Sequence, residues 1–304
     1  MVKLNGCDWE DLHVFLSVAR AGSARAAADT LGCHYTRVIR RITAFEGQLG
    51  VRLFDRSPKG YELTEAGASV LSHTDQMESE VIALLRKLQG EDESLSGVLR
   101  VSMTSTVASF LLAEDLSAFA DAHPELTLQF STNTQFADLE RGEAQVIIRV
   151  SNTPGDDLVG RQFGQYSQAV YATPAYLARH DLSAADTKAR WLHWLKDDAF
   201  QAYVAQSEFP NIQTHQTIDD ELLLLNAARA GMGIATLPCF YADPDPTLVR
   251  VGHAQPEPCY GIWLLTHPDL QRNARTRAFM DYFAEALERK RPLLEGQLPA
   301  VPGP

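Results

Sequence analysis

Apolar residues recur at helical spacing in three consecutive segments near the start of the chain. The spacing predicts helices over residues 8–20, 24–31 and about 34–49. Ser23 suits the N-cap of the second helix, and Gly32 supplies the turn before the third. The residues expected to face the shared core are Trp9, Leu12, Phe15, Leu16, Ala19, Val38, Ile42, Phe45 and Leu49. Two helices joined by a short glycine-containing turn are typical of a helix-turn-helix, whose second helix enters the DNA major groove.

The outer face of the third predicted helix is polar and basic near its N-terminal end. Its residues are His34, Tyr35, Thr36, Arg37, Arg40 and Arg41. Arginine reads guanine or neutralises phosphate, and hydroxyl groups at a helix N-terminus suit phosphate oxygens. A solvated basic face is the simpler interpretation of these residues alone. That interpretation does not explain why the basic face lies on the second helix of a helix-turn-helix.

Two short extended runs follow, over residues 51–56 and 61–64. They flank Ser57-Pro58-Lys59-Gly60, whose proline and glycine favour a turn. The predicted hairpin carries Arg56 and Lys59 near its tip, where they would reach the DNA backbone. Basic tips are common on solvated turns, so the hairpin alone is weak evidence for a winged domain.

A heptad pattern follows from Thr64 and predicts one helix of about 27 residues, roughly 40 Å long. Its seam comprises Val70, Thr74, Met77, Val81, Leu84 and Leu88, spaced 4, 3, 4, 3 and 4 residues apart. Such a seam often packs on its own domain. An exposed helix this long between two domains, however, has little else to bury against. The polar segment 90–97 is interpreted as a hinge.

Strand-like and helix-like segments alternate through the remainder of the chain. Strands are predicted over 97–105, 126–132, 144–150, 168–174, 232–238 and 261–268, and helices over 107–124, 136–143, 222–231 and 275–290. This alternation is typical of a parallel α/β sheet, whose ligands bind at the carboxyl ends of the strands. The GMGIA run at 231–235 lacks the third glycine of a dinucleotide-binding loop, and Pro238 falls where its helix would run.

Three hydroxyl residues, Thr104, Ser105 and Thr106, lie between the first of these strands and the following helix. Their side chains and the free amides of a helix N-terminus suit an anionic small molecule. An alternative is that one of them is only the N-cap of the helix.

The charge of the chain is unevenly distributed, so its net value alone is misleading about a nucleic-acid partner. The 304 residues carry a formal net charge of −12, which taken alone argues against a nucleic-acid partner. Residues 1–65, however, carry a net of +1, and residues 20–59 have eight basic and three acidic side chains. An acidic body therefore carries a basic head, which favours DNA binding by the head. The composition is otherwise that of a globular protein and excludes disordered, collagen-like and disulfide-scaffold classes. The length suggests two domains and leaves room for a small third one.

The sequence contains no G-x-S-x-G, H-E-x-x-H, phosphate-binding-loop or C-x-x-C motif. Its cysteines, Cys7, Cys33, Cys239 and Cys259, have no metal-ligand spacing and are interpreted as reduced thiols. No apolar stretch approaches the roughly 20 residues that span a bilayer, and the N-terminus lacks a signal-peptide core. We therefore expect a cytoplasmic protein that has no catalytic role, cofactor, metal or membrane partner.

The run FLSVARAGSARAAADTLGCHYTRVIRRITAFEGQLGVRLFDRSPKGYELTEAG resembles the N-terminal domain of LysR-type transcriptional regulators. It matches the F-x-x-V helix, G-S-x-x-x-A-A, I-x-x-L-E-like and L-G-x-x-L-F-x-R segments and the final L-T-x-A-G. It departs where the family touches DNA. His34-Tyr35-Thr36-Arg37 replaces the usual Ser-Gln-Pro/Ser-Ala/Thr, and Ile39 replaces a serine. The resemblance therefore implies the family's docking geometry more strongly than its base contacts.

The second half resembles the effector domain of the same family more loosely, through GEAQVIIRV, VYATPAYL, ARAGMGIATLP and LLTHPDLQRNARTRAFMDYF. The implied fold is a multidomain α/β protein with an α-rich winged helix-turn-helix domain (1–63), a dimerisation helix and hinge (64–96) and an effector domain (97–292) of periplasmic-binding-protein type 2 fold. Subdomain I of the effector domain would comprise about 97–166 and 267–292, and subdomain II about 167–266, followed by a flexible tail over 293–304.

The resemblance also implies three sets of site residues. The DNA-binding set is Ser23, His34, Tyr35, Thr36, Arg37, Arg40, Arg41, Arg56 and Lys59. The effector-binding set is Thr104, Ser105, Thr106, Thr134, Gln135, Arg149, Thr217 and Ile218. The dimerisation set is Val70, Met77, Val81, Leu84 and Leu88.

These observations predict a sequence-specific DNA-binding transcriptional regulator that is modulated by a small-molecule effector. Its expected partners are double-stranded DNA, an effector that the hydroxyl loop indicates is anionic, a second or further copies of the chain in a homodimer or homotetramer, and RNA polymerase. The alternative is an α/β small-molecule-binding protein or enzyme whose N-terminal head serves assembly.

Overall fold

The computed structural model describes residues 8–57, 60–132, 143–155, 157–194 and 200–297. The chain divides into two compact units, Met1–Leu85 and Arg86–Pro304, which we term the head unit and the effector unit. The boundary between them falls inside one long helix.

The head unit contains the three helices predicted from the apolar spacing. They are α1 (Trp9–Ala21), α2 (Ala24–Thr30) and α3 (Tyr35–Leu49). Asp8 caps α1 by accepting a hydrogen bond from the Asp11 backbone N–H, and the Asp11 side chain accepts one from the Asp8 N–H in return. Gly22 and Gly50 end α1 and α3 in the left-handed conformation.

An aromatic cluster forms the core of the head unit. The Phe15 ring lies 6.4 Å from that of Phe45 and 5.2 Å from that of Phe54, and all three side chains are buried. Val38 and Ile42 are buried on the inner face of α3 as predicted. Two predicted core residues are instead exposed, Trp9 and Leu49, because each lies at the end of its helix. Val14 and Val18, which the spacing did not indicate, are buried in this core.

A two-stranded antiparallel hairpin follows, with β1 (Phe54–Ser57) paired to β2 (Gly60–Leu63). The hairpin packs closely on the turn after α1, where the Tyr61 N–H donates to the Gly22 carbonyl over 2.9 Å. Gly60 makes this approach possible, since a Cβ on it would lie 2.5 Å from the Gly22 oxygen. The predicted wing is therefore present and is fixed to the helices.

Helix α4 (Glu65–Gly90) has 26 residues and a length of about 39 Å. Thr74, the one polar member of the heptad seam, is buried and donates its hydroxyl to the Val70 carbonyl over 2.7 Å. The apolar members farther along the helix are exposed.

The effector unit is built on one sheet whose strand order is β4-β3-β5-β11-β6-β9-β7-β8, with β10 also paired to β6. The strands are β3 (Gly97–Met103), β4 (Leu126–Ser131), β5 (Val146–Ser151), β6 (Val159–Ala172), β7 (Arg190–Trp194), β8 (Gln213–Ile218), β9 (Ile234–Pro238), β10 (Val249–Arg250) and β11 (Glu257–Thr266). The predicted all-parallel arrangement is wrong at the centre of the sheet. There β11 runs antiparallel to β5 and β6, and β6 antiparallel to β9, whereas the outer pairs are parallel.

Helices cover the sheet of the effector unit. They are α5 (Ala113–Ala122), α6 (Pro174–Leu177), α7 (Phe200–Gln206), α8 (Glu221–Arg229), α9 (Cys239–Ala242), α10 (Ala274–Arg289) and α11 (Arg291–Leu294). A π-helical turn over Val107–Leu111 precedes α5, in place of the single helix predicted over 107–124. The predicted helix over 136–143 lies almost entirely outside the described residues.

One long central strand, β6, runs across the predicted boundary between the subdomains, and another, β11, pairs across it. β6 begins at Val159, nine residues before its predicted start, and runs through residue 166 without interruption. All of β11 lies in the range assigned to subdomain II, yet it pairs with β5 of subdomain I from Gly261 to Thr266. Strands β7 and β8 were not predicted; β8, with the sequence QTHQTI, has one apolar residue and so shows no apolar alternation.

The segment after α4, interpreted from sequence as a hinge, is tied to the N-terminus of α10. The Asn273 side-chain amide donates to the Gln89 carbonyl over 2.7 Å, and the Ala274 N–H donates to the Asp92 carbonyl over 3.2 Å. Arg275 donates to the Ser96 carbonyl over 2.6 Å and pairs with the Asp92 carboxylate over 2.9 Å. Side-chain and backbone hydrogen bonds therefore hold this polar segment in place.

The C-terminal end also differs from its prediction. Leu293 and Leu294 lie in α11 rather than in a tail that begins at 293, and Leu294 is fully buried. Its apolar side chain joins the core around Phe279 and Phe283, whose rings stack 4.1 Å apart.

Candidate DNA-binding surface and ligand cleft

The first turn of α3 is held by its own side chains. The Nδ1 atom of His34 lies 2.9 Å from Thr36 Oγ1 and accepts the Thr36 backbone N–H over 3.4 Å, which makes His34 the N-cap. The His34 ring also lies 4.9 Å from the Tyr35 ring. His34 and Thr36 therefore order the start of the helix, and the phenol of Tyr35 is exposed beside them.

Arg37 and Arg40 extend this exposed surface by one turn. Arg37 donates to Glu10 Oε1 over 2.9 Å, although its side chain remains 60% exposed. Arg40 is exposed and has no ion pair or side-chain hydrogen bond within the described part of the chain. Of the predicted arginines, Arg40 is thus the one most available to an anionic partner.

Arg41 differs from its neighbours because acidic residues of α1 surround it. Its guanidinium donates to Asp11 Oδ1 over 2.8 Å and to Asp8 Oδ1 over 2.8 Å, and lies 3.0 Å from Glu10 Oε1. The Asp11 backbone N–H and the Arg41 guanidinium hold the pKa of the Asp8 carboxyl below its ordinary value. The contacts of Arg41 join α1 to α3, which sequence spacing did not indicate.

Ser23 and Arg56, two other predicted contacts, also have internal partners. The Ser23 hydroxyl caps α2 by accepting the Ala26 N–H over 3.1 Å. Arg56 on β1 pairs with Glu46 over 2.9 Å and keeps 42% of its side chain exposed. Lys59, at the predicted tip, lies outside the described residues.

Two exposed arginines were not singled out from sequence. Arg25 lies in the first turn of α2, and Arg52 lies between α3 and β1. Neither has an ion pair within the described ranges. Both belong to the basic stretch over residues 20–59, and the position of Arg25 two residues after the N-cap Ser23 is the pattern that would have indicated it.

In the effector unit, the predicted hydroxyl loop follows β3. Thr104 accepts the Val107 N–H at its hydroxyl over 3.4 Å, as a capping residue does. Thr106 is buried and donates its hydroxyl to Glu221 Oε2 over 2.6 Å. This contact joins the loop after β3 to the first turn of α8, 115 residues later.

The half-buried Glu221 and two buried tyrosines, Tyr166 and Tyr241, form a polar group that sequence reasoning missed. Burial raises the pKa of the Glu221 carboxyl; the hydrogen bond from Thr106 opposes this rise, and the charge of Asp220 adds to it. Burial also raises the pKa of the Tyr166 and Tyr241 phenols, and the Glu221 charge contributes in both cases. The Tyr241 hydroxyl has no hydrogen-bond partner among the described atoms. No sequence motif connects residues so far apart in the chain.

The other predicted effector residues have different surroundings. Arg149 on β5 is buried and donates to Ser102 Oγ over 3.2 Å. Thr217 is exposed at the end of β8, and Ile218 beside it is buried in the apolar core. Thr134 and Gln135 lie outside the described residues.

The predicted dimerisation residues form an apolar stripe on α4. Met77, Val81, Leu84 and Leu88 are each more than 40% exposed, and Val70 is half-buried against the head core. Leu85, beside the stripe, is also exposed. A row of exposed apolar side chains on one helix is typical of a surface that a partner covers.

Membrane-spanning and metal-binding features are absent from the described residues. No helix among them has both the length and the apolar character needed to cross a membrane. The same residues contain no group of three or more His, Cys, Asp or Glu side chains placed to hold a metal ion.

Comparison with known proteins gives consistent matches over both units. The family model described as "Bacterial regulatory helix-turn-helix protein, lysR family" matches residues 9–68, and the one described as "LysR substrate binding domain" matches residues 92–288. The chain is 26% identical over 291 residues to the HTH-type transcriptional regulator CrgA of Neisseria meningitidis, which covers 91% of this chain and 96% of that protein. It is 25% identical over 305 residues to PtxR of Pseudomonas aeruginosa, with 95% and 96% covered.

Solved structures of two such regulators share the fold. The structure of CrgA from Neisseria meningitidis has a TM-score of 0.56 at 24% identity and covers 92% of this chain and 99% of that chain. The full-length structure of the Vibrio cholerae virulence activator AphB has a TM-score of 0.58 at 20% identity and covers 92% and 99%. With a helix-turn-helix head, an α/β effector unit and family matches over nearly the whole length, this chain belongs to the LysR family of bacterial transcriptional regulators.

Proposed function

We propose that this chain binds an operator through the N-terminal half of α3 and controls transcription there in response to a small molecule. The observation that carries the proposal is the division of α3 into two faces. Val38, Ile42 and Phe45 are buried in the head core, whereas Arg37 and Arg40 face solvent beside the exposed Tyr35. A recognition helix needs this arrangement, because its inner face fixes it to the head and its outer face meets the bases.

The head residues divide into two roles in this proposal. His34, Ser23 and Arg41 position the helices, since their polar atoms bond within the head. The residues that contact DNA are Tyr35, Thr36, Arg37, Arg40, Arg56 and Lys59, together with Arg25 and Arg52. Arg56 and Lys59 belong to the wing and reach the phosphate backbone.

Two copies of the chain associate through the α4 stripe. Covering Met77, Val81, Leu84 and Leu88 removes exposed apolar area from water in both copies at once. A two-fold dimer then presents two α3 helices to two half-sites. The protein acts on DNA in the bacterial cytoplasm, and this role requires no catalytic chemistry.

The effector occupies the region of Thr104, Ser105, Thr106 and Arg149. The sequence indicated an anionic effector beside Thr106. In the structure, the Thr106 hydroxyl donates to the Glu221 carboxylate there, and this changes the ligand chemistry that we expect. We therefore propose that the part of the effector next to Glu221 donates a hydrogen bond or carries positive charge. A thermal-shift comparison of small amines with carboxylates of equal size tests this; stabilisation by the carboxylates alone would contradict it.

Binding to DNA is tested by fluorescence anisotropy with duplexes from the region upstream of the gene. We expect affinity for one two-half-site duplex to fall steeply as salt rises, since phosphate contacts release counterions. Arg40→Ala should weaken this binding. Arg272→Ala, which removes an exposed arginine of the effector unit, serves as the matched control.

Two outcomes would overturn the proposal. One is the absence of salt-dependent binding to any such duplex, which would favour a head that serves only assembly. The other is an equal effect of Arg40→Ala and Arg272→Ala, which would mean that α3 does not carry the contact.

A further inference from the structure

Acidic residues of α1 and basic residues of α3 form one linked group on the head. Arg37 and Arg41 are one helical turn apart, and both reach Glu10 Oε1, over 2.9 and 3.0 Å. The group continues from Arg41 to Asp8 and Asp11. Glu10 is therefore the one carboxylate shared by both arginines within the described chain.

The two arginines differ in how far water and DNA can reach them. The side chain of Arg41 is 22% exposed and that of Asp11 only 9%. The Arg37 and Glu10 side chains are 60% and 50% exposed. An exposed ion pair is weak and readily exchanged, whereas the pair of Arg41 with Asp11 is shielded. A phosphate can thus compete for Arg37 but not readily for Arg41.

We infer that Glu10 is a specificity-determining residue: as a built-in counterion it orients Arg37 and suppresses the binding of non-operator DNA. A carboxylate beside Arg37 repels phosphates and keeps the guanidinium from attaching to the backbone of any sequence. On the operator, the oriented Arg37 meets a base edge, and this contact compensates for the unfavourable charge of Glu10. The inference rests on the proposed function, in which α3 enters the major groove.

The test is Glu10→Gln, which removes the charge and preserves the shape of an exposed side chain. We expect tighter binding to a random duplex and little gain on the operator, so the ratio of the two affinities falls. Arg37 would then contact one further phosphate on random DNA. Between 50 and 200 mM salt, the affinity of the variant for that duplex would therefore fall by about 3.5-fold more than that of the wild type.

Two further variants make the result specific. Asp29→Asn removes an exposed acid from α2 of the same head, and it should leave the affinity ratio close to that of the wild type. In an Arg37→Ala background, Glu10→Gln should lose its effect, because the counterion then has no partner. A double-mutant cycle of these variants measures the coupling.

The possible failures are distinguishable. If the wild type shows no salt-dependent DNA binding, the proposed function fails and this inference fails with it. If Arg37→Ala weakens operator binding but Glu10→Gln matches Asp29→Asn, the proposed function stands and the role of Glu10 is refuted. A Glu10→Gln effect that persists without Arg37 also refutes it.

Discussion

The Asn273 side chain has two structural roles at the start of α10: it caps the helix and holds the segment after α4. Different substitutions of Asn273 separate these roles. The side chain is fully buried. Its Oδ1 atom accepts the Thr276 N–H over 3.0 Å and caps the helix. Its Nδ2 group donates to the Gln89 carbonyl over 2.7 Å and to the Asp92 carbonyl over 3.4 Å, which holds the end of α4 and the segment after it.

Asn273→Ser keeps an oxygen that caps α10 and removes the donors to Gln89 and Asp92. The 2.7 Å hydrogen bond contributes about 0.5–1.5 kcal/mol and the longer one at 3.4 Å about 0.5 kcal/mol, so the free energy of unfolding of the effector unit should fall by about 1–2 kcal/mol. Asn273→Ala loses the cap as well, which adds about 1 kcal/mol. Urea titration followed by tryptophan fluorescence measures both values.

The informative assay is limited proteolysis with an endopeptidase that cleaves after glutamate. Glu91 and Glu93 lie in the tied segment. Losing about 1–2 kcal/mol of local stability should increase cleavage at these two sites by about 5- to 30-fold under native conditions, since slow cleavage follows the open population. Mass spectrometry of the fragments identifies the sites.

Asp220→Ala provides the control, because Asp220 caps α8 through the Leu223 N–H over 2.7 Å and has no hydrogen bond or ion pair to the tied segment within the described residues. It should lower stability by about 1 kcal/mol without increased cleavage at Glu91 or Glu93. If Asn273→Ser leaves this cleavage at the level of Asp220→Ala, the reasoning that Asn273 secures the segment is refuted.

Three further outcomes are expected. Burial raises the pKa of Glu221 above its ordinary value of 4.5, so the folded state binds this proton more tightly than the unfolded state. The resulting contribution to the free energy of unfolding is present below about pH 4.5 and is lost as the pH rises through the raised pKa. Glu221→Gln should remove this pH-dependent contribution from urea titrations run at a series of pH values. Leu84→Glu should shift the protein toward monomer in light scattering, whereas Leu223→Glu, at an equally exposed leucine of α8, should not. Native maleimide labelling should modify Cys33 and spare Cys239, whose thiol is buried with a pKa raised to about 11; equal labelling of both would contradict the packing.

The head could be predicted closely from sequence because its organisation is local. Apolar spacing, caps and glycine turns each act within a few residues, and they place α1, α2 and α3 within about one residue of their observed ends. The same local rule misplaced Trp9 and Leu49. Helical spacing indicates a face but not where a neighbouring helix stops covering it.

The sites were less predictable because their geometry depends on distant pairings. An arginine on the outer face of α3, such as Arg41, is the residue type expected to contact DNA. Its three carboxylate neighbours follow only from the packing of α1 on α3, which the sequence does not show. Glu221 meets Thr106 through the fold of the whole effector unit. The antiparallel direction of β6 and β11 at the centre of the sheet was likewise missed, since alternation along the chain indicates neighbouring elements but not strand direction.

The attachment of α4 at its C-terminal end has a mechanical consequence. Gly90 packs directly on the Asp269 backbone, where any Cβ would clash, and Asn273 holds the preceding carbonyl. With no room for even a methyl group between Gly90 and Asp269, the last turn of α4 cannot turn or slide on this loop without breaking the hydrogen bond from Asn273 to Gln89. The last turn of α4 and the first turn of α10 therefore shift together or not at all, so a rearrangement that reaches α10 reaches the end of α4 without a separate contact to carry it.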